Sequence, residues 1–477
     1  MTPYHRYRTL TRIAVDDSIQ ASAIRGGDTM RDEVKGGRPQ ETRRTFLRST
    51  GMWAAGLYLT AQSRAPAVRA SSGTMETLAF SGGPKAVTCP HGDAARWPLY
   101  GAEEELEIVK LLREPSYAPI EQFEEDWKER FSVPHVRAYC NGTSALTTMF
   151  FALDLPPGSE IMVPSYTFFA TITPMRFFGL VPVFVDINPR TLNFDVEDAK
   201  RRLTKNTKAL LPVHWIGLPC EMDRICEFAK EKGLIVLEDA CHAHGAPMQG
   251  KLMGSWGRMA AFSLQASKPL PAIEGGMAVY QERQDYERGS TLGHYDKPGN
   301  YPDGSPYRKY QGSGLGLKLR MHPMAAVLAR CQLRGLDERN RRAAAQVHRL
   351  NDRIAHLPGL YEQAARPDMQ RIYYARNMLF LDEAQAGMSR QVCVKALQAE
   401  GVQAGAHSYT LQHKLPLYSE GAWWHHKPVI PDLPGSEQAN RTAISLPIFT
   451  SEVPELVDQY VRAFEKVWAH RKELGKS

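Results

Sequence analysis

Lys268 is the residue whose surroundings most suggest chemistry. It stands in AFSLQASKPLPAIEGGMAVY (261–280), after a strand-like apolar run, directly before Pro269, and ahead of the pair Gly275–Gly276. A residue that precedes proline is pushed out of the helical region, so the lysine is presented from a turn. Two readings are open: a solvated loop lysine, or an amine that joins a carbonyl carbon as a Schiff base at the end of a sheet strand.

Other residue sets lie where the same chemistry could use them. NGTSA (141–145) places a glycine and the hydroxyls of Thr143 and Ser144 at a helix start, which suits a phosphate. It also suits a plain N-cap. Asp239 follows the apolar run LIVL in EDACHAHG, as a functional carboxylate or as a helix cap. His242 and His244 come next, at a spacing that does not make a metal site. Ser263 closes the strand that leads to Lys268, and Phe168 in TFFAT could stack on a flat ring or fill a core. A phosphate cradle, a carboxylate, an aromatic face and a lysine are together what pyridoxal phosphate (PLP) needs.

The elements that must carry these residues alternate. Strands are expected at 160–165, 181–187, 208–214, 233–240, 259–264 and 277–280. TFFATITPMRFFG, NFDVEDAKRRL and EMDRICEFAKEKG read as helices between them. Such alternation predicts a mostly parallel sheet covered on both faces. His294–Gly316 is rich in Gly, Pro and Tyr and has no periodicity, which marks a functional or mobile loop. One long helix is expected from about Pro323, leading into a smaller domain.

The order of these parts resembles the DegT–DnrJ–StrS family of aminotransferases. The resemblance runs from about Phe80 to Val467 and rests on VPSYTFFAT, PVFVDI, LEDACHA, AFSLQASK, EGG (274–276), LRMHPMAA and ISLPIFT. It implies the PLP-dependent transferase type I fold: a large domain on a mostly parallel seven-stranded sheet (71–335), a smaller α/β domain (336–477), and a homodimer whose sites lie between subunits. Position by position, Lys268 matches the lysine that holds the cofactor. Asp239 matches the partner of its pyridine nitrogen, His242 the neighbour of its ring hydroxyl, and Phe168 the stacking aromatic. Thr143, Ser144 and Ser263 match the phosphate contacts. Lys318 stands where the family has an asparagine that reaches the cofactor phosphate in the partner's site. The implied reaction moves an amino group from glutamate or glutamine to a keto-sugar or keto-cyclitol, in polysaccharide or secondary-metabolite synthesis. Gln265, where many sugar-nucleotide members carry histidine, leans toward cyclitol and aromatic amino acid members. The loop 294–316 and the segment 407–418 would line the substrate pocket. A dehydratase of the family would carry histidine at the lysine position, so Lys268 argues against that alternative. The intact lysine, aspartate and phosphate elements argue against a non-catalytic relative.

The 477 residues carry a net charge of +7, and the first seventy hold 12 Lys/Arg against 6 Asp/Glu. The remainder is nearly neutral and has no nucleic-acid signature. The 7 cysteines show no CxxC spacing, so neither a disulfide framework nor a zinc site is expected. Residues 1–70 form a separate extension. Arg43 and Arg44 precede Phe46 and Leu47, a short apolar stretch and small residues ending at Ala70, which resembles a twin-arginine export signal. A periplasmic or exported location is therefore expected, with the cytoplasm as the alternative. The apolar stretch is too short for a permanent span.

Overall fold

A computed structural model describes residues 76–476, and these belong to one compact unit, Gly73–Ser477. The leader-like segment 43–70 lies outside the described residues.

The strands in chain order are β1 (His135–Tyr139), β2 (Glu160–Pro164), β3 (Val181–Val185), β4 (Thr207–Leu210) and β5 (Ile235–Asp239). A short hairpin follows, β6 (Pro247–Met248) with β7 (Lys251–Leu252), then β8 (Met259–Ser263) and β9 (Gly276–Tyr280). Seven of them form one sheet in the order β1-β9-β8-β5-β4-β2-β3. Only β9 runs against its neighbours. Every residue of β2 and of β9 is buried, as expected of a sheet with both faces covered. The six expected strands are all present, and the sheet is the mostly parallel one the sequence implied.

The seventh strand, β1, is not among the six read from apolar runs, because Arg137 interrupts its apolar pattern. That arginine is 3% exposed. Glu124 takes both hydrogen bonds of its Nη1, at 2.9 and 3.1 Å, and also accepts the Ala138 N–H at 2.9 Å. Tyr286 and Ser290 hold the rest of the guanidinium. A buried, fully bonded ion pair thus replaces apolar packing inside the sheet edge.

Two further expectations are corrected. The helix expected from Pro323 is two, Pro323–Arg334 and Leu336–Ile354, broken at Gly335. Glycine is the poorest helix former after proline, and Arg339 turns back to bond the Gln332 carbonyl across the break. TFFATITPMRFFG forms 3₁₀ turns, Phe169–Thr171 and Thr173–Phe178, around Pro174 rather than an α-helix.

The C-terminal part carries its own antiparallel sheet of β10 (Leu360–Glu362), β11 (Asn377–Leu381), β12 (Gly405–Ala406) and β13 (Ala443–Leu446), in the order β10-β11-β13-β12. The helix Pro454–Ala469 packs there against Leu336–Ile354. Leu78, Val87 and Ala94 join the same core, so the chain before the first long helix is fastened to the C-terminal lobe.

Glu124→Ala should destabilise the protein by about 3–5 kcal/mol, because Arg137 would keep its charge without a partner. Urea unfolding measures this. A loss below about 1 kcal/mol would mean the pair does not fasten β1.

Candidate active site

Open α/β sheets present ligands at the carboxyl ends of their strands. Here β5 ends on Asp239, β8 ends on Ser263, and the helix Gly142–Ala152 starts beside them. A cavity of about 620 Å³ opens at that edge, and Thr143, Phe168, Asp239, His242, Ser263 and Lys268 all line it. Six of the positions singled out in the sequence therefore meet in one place.

Asp239 is 4% exposed. Thr171 Oγ1 donates to its Oδ2 at 2.7 Å, and the Cys241 N–H donates to its Oδ1 at 3.1 Å. These bonds fix the carboxylate plane at the cavity wall. Burial, and then the Asp239 charge, push the Cys241 thiol well above its ordinary range, so it does not compete as a nucleophile.

The helix start forms a cradle. Asn141 Oδ1 accepts the Ser144 N–H at 2.8 Å. That cap leaves the first-turn N–H groups of Gly142 and Thr143 without helical partners, and both residues line the cavity. Two glycines permit the approach. A Cβ on Gly142 would lie 2.8 Å from Ser263 Cβ, and one on Gly276 would lie 2.3 Å from the Asn141 carbonyl oxygen. The helix start therefore sits directly against β8 and β9. Ser144 departs from the sequence assignment: its hydroxyl donates to Asn141 Oδ1 at 2.9 Å and lies 3.2 Å from Cys140 Sγ, and it does not line the cavity.

The Lys268 turn is held from both sides. The Lys268 N–H donates to the Gln265 carbonyl at 2.8 Å, and Trp97 Nε1 donates to the Lys268 carbonyl at 3.1 Å. Its Nζ lies 4.7 Å from the centroid of the Tyr374 ring. Tyr374 also stacks on His242, with centroids 4.5 Å apart, and its hydroxyl lies 3.1 Å from Ser267 Oγ. His242 Nδ1 accepts the Ile216 N–H at 3.4 Å. Burial, and then the Lys268 charge, hold its pKa well below 6.5, so the ring is neutral. Phe168 is 52% exposed at the cavity wall beside Phe169, free to cover a flat group.

Lys318 lies elsewhere. It is exposed and lines a separate cavity of about 460 Å³ with Glu274, which borders both cavities. Within one chain it is not brought to the lysine. Sequence reading missed Tyr374 and Arg376, which arrive from the C-terminal part over a hundred positions downstream. Ala375 between them has φ +59°, the left-handed region, which folds this short corner over the cavity. Among the described residues no cluster of His, Cys, Asp and Glu could hold a metal.

The donor set fits pyridoxal phosphate: free N–H groups and hydroxyls for the phosphate, a buried carboxylate for the pyridine nitrogen, an aromatic face and a lysine. Residues 102–465 match the sequence model of the DegT/DnrJ/EryC1/StrS aminotransferase family. The chain belongs to that family. It is 30% identical over 378 residues to the spore coat polysaccharide biosynthesis protein SpsC of Bacillus subtilis (strain 168), covering 78% of this chain and 95% of that protein. It is 28% identical over 335 residues to GDP-perosamine synthase of Escherichia coli O157:H7, covering 70% and 85%. A solved structure of DesI in the presence of its TDP-sugar product matches with a TM-score of 0.68 at 28% identity, covering 84% and 98%. The protein is a PLP-dependent aminotransferase with the type I fold.

His244, packed between Trp127 and Phe262, makes the site's surroundings acid-sensitive. Burial, and then the Lys268 charge, push its pKa down to about 3. Below pH 6.5 the unfolded chain binds a proton here that the folded chain refuses, so stability falls with pH from 6.5 toward 3. The slope is about 1.4 kcal/mol per pH unit. His244→Phe should therefore gain about 2 kcal/mol relative to wild type at pH 5 compared with pH 7.5. Urea midpoints at the two pH values test this; an equal offset at both would refute it.

Proposed function

We propose that this aminotransferase moves an amino group from an amino-acid donor, glutamate or glutamine, to a keto-sugar or keto-cyclitol that serves polysaccharide or secondary-metabolite synthesis. The reading is carried by the meeting of Lys268 and Asp239, from the ends of two neighbouring strands, on one cavity with a phosphate cradle. The named relatives in spore coat polysaccharide and perosamine synthesis support a sugar-like acceptor.

The roles follow from the chemistry of each group. When bound, the cofactor supplies an electron sink for the carbon that gives or receives the amino group. The Asp239 carboxylate would accept the pyridine N–H and keep that nitrogen protonated. Gly142 and Thr143 N–H groups with the hydroxyls of Thr143 and Ser263 would hold the phosphate. Phe168 would cover one face, and neutral His242 would neighbour the ring hydroxyl. Ser144 acts one step back, by holding Asn141 so that the helix start keeps its shape. Lys268 would hold the cofactor at rest. Its free Nζ would move a proton between the substrate carbon and the cofactor carbon, in one direction in the first half of the cycle and in the other in the second.

Lys268→Ala should lower turnover by at least about a thousandfold. Borohydride reduction of the native holoenzyme should leave the cofactor's mass on the peptide that contains Lys268. Label on any other lysine would overturn the site. The amine form of the loaded enzyme, presented with a panel of keto-sugars and keto-cyclitols, should return to the aldehyde spectrum with one of them.

Lys318 belongs to the same proposal. Its ammonium, a good point-charge partner for phosphate, would reach the cofactor of the other subunit in a homodimer. Lys318→Ala should weaken cofactor retention about ten- to a hundredfold. Mixing Lys318→Ala with Lys268→Ala subunits should restore one working site per heterodimer. Unchanged retention, or no activity on mixing, refutes the shared site.

A further inference from the structure

The Lys268 amine meets no polar partner in the catalytic cavity. Its Nζ makes no hydrogen bond or ion pair with another described residue, and Asp239 and Glu274, the carboxylates on that cavity, do not pair with it. What it does meet is the face of the Tyr374 ring, with Nζ 4.7 Å from the ring centroid. An ammonium within about 6 Å of an aromatic centroid is attracted by the negative face of the ring.

The ring is held from several sides. Its plane lies 26° from that of His242, with centroids 4.5 Å apart. Gln265 Oε1 accepts both the N–H and the hydroxyl of Ser267, at 2.8 and 2.6 Å. The Ser267 proton is committed there, so its Oγ accepts from the Tyr374 hydroxyl at 3.1 Å. These side chains form a series with one direction, from Tyr374 through Ser267 to Gln265. Gln265, which the sequence marked for the substrate, thus supports the lysine turn. The chain on both sides of Tyr374 is fixed as well. Tyr373 is buried against Val347 and Ile448, and Asn377 Nδ2 donates to Asn351 Oδ1 at 2.8 Å.

A lysine stem is long and flexible, so a free amine without a seat spreads over many rotamers. Proton transfer needs the amine in one place relative to the carbon it serves. A carboxylate at the seat would bind the ammonium through a charge-assisted bond and oppose its return to the cofactor. A ring face attracts it less and lets it leave.

We propose that Tyr374 is the positioning residue for Lys268: its ring seats the Nζ whenever the amine is not joined to the cofactor, and so keeps it within reach of the substrate carbon. This rests on the reading of Lys268 as the amine that holds the cofactor.

The test uses the enzyme loaded with the cofactor in its amine form, in which Lys268 is free. Trace acetylation with acetic anhydride, read by mass spectrometry on the peptide that contains Lys268 and scaled to the other lysine peptides, reports how the amine is held. Tyr374→Leu should raise that acetylation about three- to thirtyfold. Ser267→Ala, at an exposed side chain, should raise it by less, and it carries the test if the leucine variant does not fold. Tyr374→Phe keeps the ring and should reverse most of the leucine effect. With the aldehyde form, single-turnover conversion by glutamate or glutamine, whichever is faster, should slow at saturation by a similar factor in Tyr374→Leu. The half-saturating donor concentration should change by less than about twofold. Borohydride label on another lysine would overturn the role of Lys268 and this one with it. Label on Lys268, with acetylation unchanged in both Tyr374→Leu and Ser267→Ala, would overturn the seat alone. So would a Tyr374→Phe enzyme as altered as Tyr374→Leu.

Discussion

Two adjacent carboxylates, Glu238 and Asp239, are buried at the end of β5, and the site depends on how each is satisfied. Successive residues of a strand point to opposite faces. Glu238, fully buried, accepts N–H groups from Gly254, Trp256 and Gly257 at 2.8, 2.7 and 2.6 Å, and His214 Nε2 at 3.0 Å. That clamp fixes the loop that enters β8. Asp239 meets Thr171 and Cys241 on the cavity side, and its backbone bonds Pro212 and His214 of the neighbouring segment. An unpaired carboxylate at either depth would be costly. The bonds that prevent this also set where β8, and with it Lys268, must emerge.

The parts legible in the sequence were those that obey a period or a local rule. Apolar runs marked the inner strands, and the Lys268–Pro269 pair marked the turn. The helix-start motif gave the cradle, although only Thr143 of its two hydroxyl residues lines the cavity. β1 stayed hidden because its stabilisation lies in the ion pair between Arg137 and Glu124, which no hydropathy pattern records. The break at Gly335 was hidden by the helical periodicity on both sides. Tyr374 and Arg376 could not be found by spacing, because tertiary folding of the C-terminal part brings them to the lysine.

The catalytic turn is also tied to the C-terminal lobe through the chain's early segment. Glu400, fully buried, accepts the Ala79 and Ala86 N–H groups at 2.7 and 3.0 Å and the Lys466 ammonium at 2.9 Å. Gln459 accepts the N–H groups of Thr88 and Cys89. A few residues on, Trp97 donates to the Lys268 carbonyl. The segment is thus a strap with one end bonded into the C-terminal helices and the other bonded to the reactive turn. Tyr374 makes a second tie, since its ring meets both His242 and the Lys268 ammonium from the C-terminal side. Displacing that lobe would act on the lysine at two points, its carbonyl and its amine. The position of Lys268 is therefore set as much by the C-terminal lobe as by the strand that delivers it.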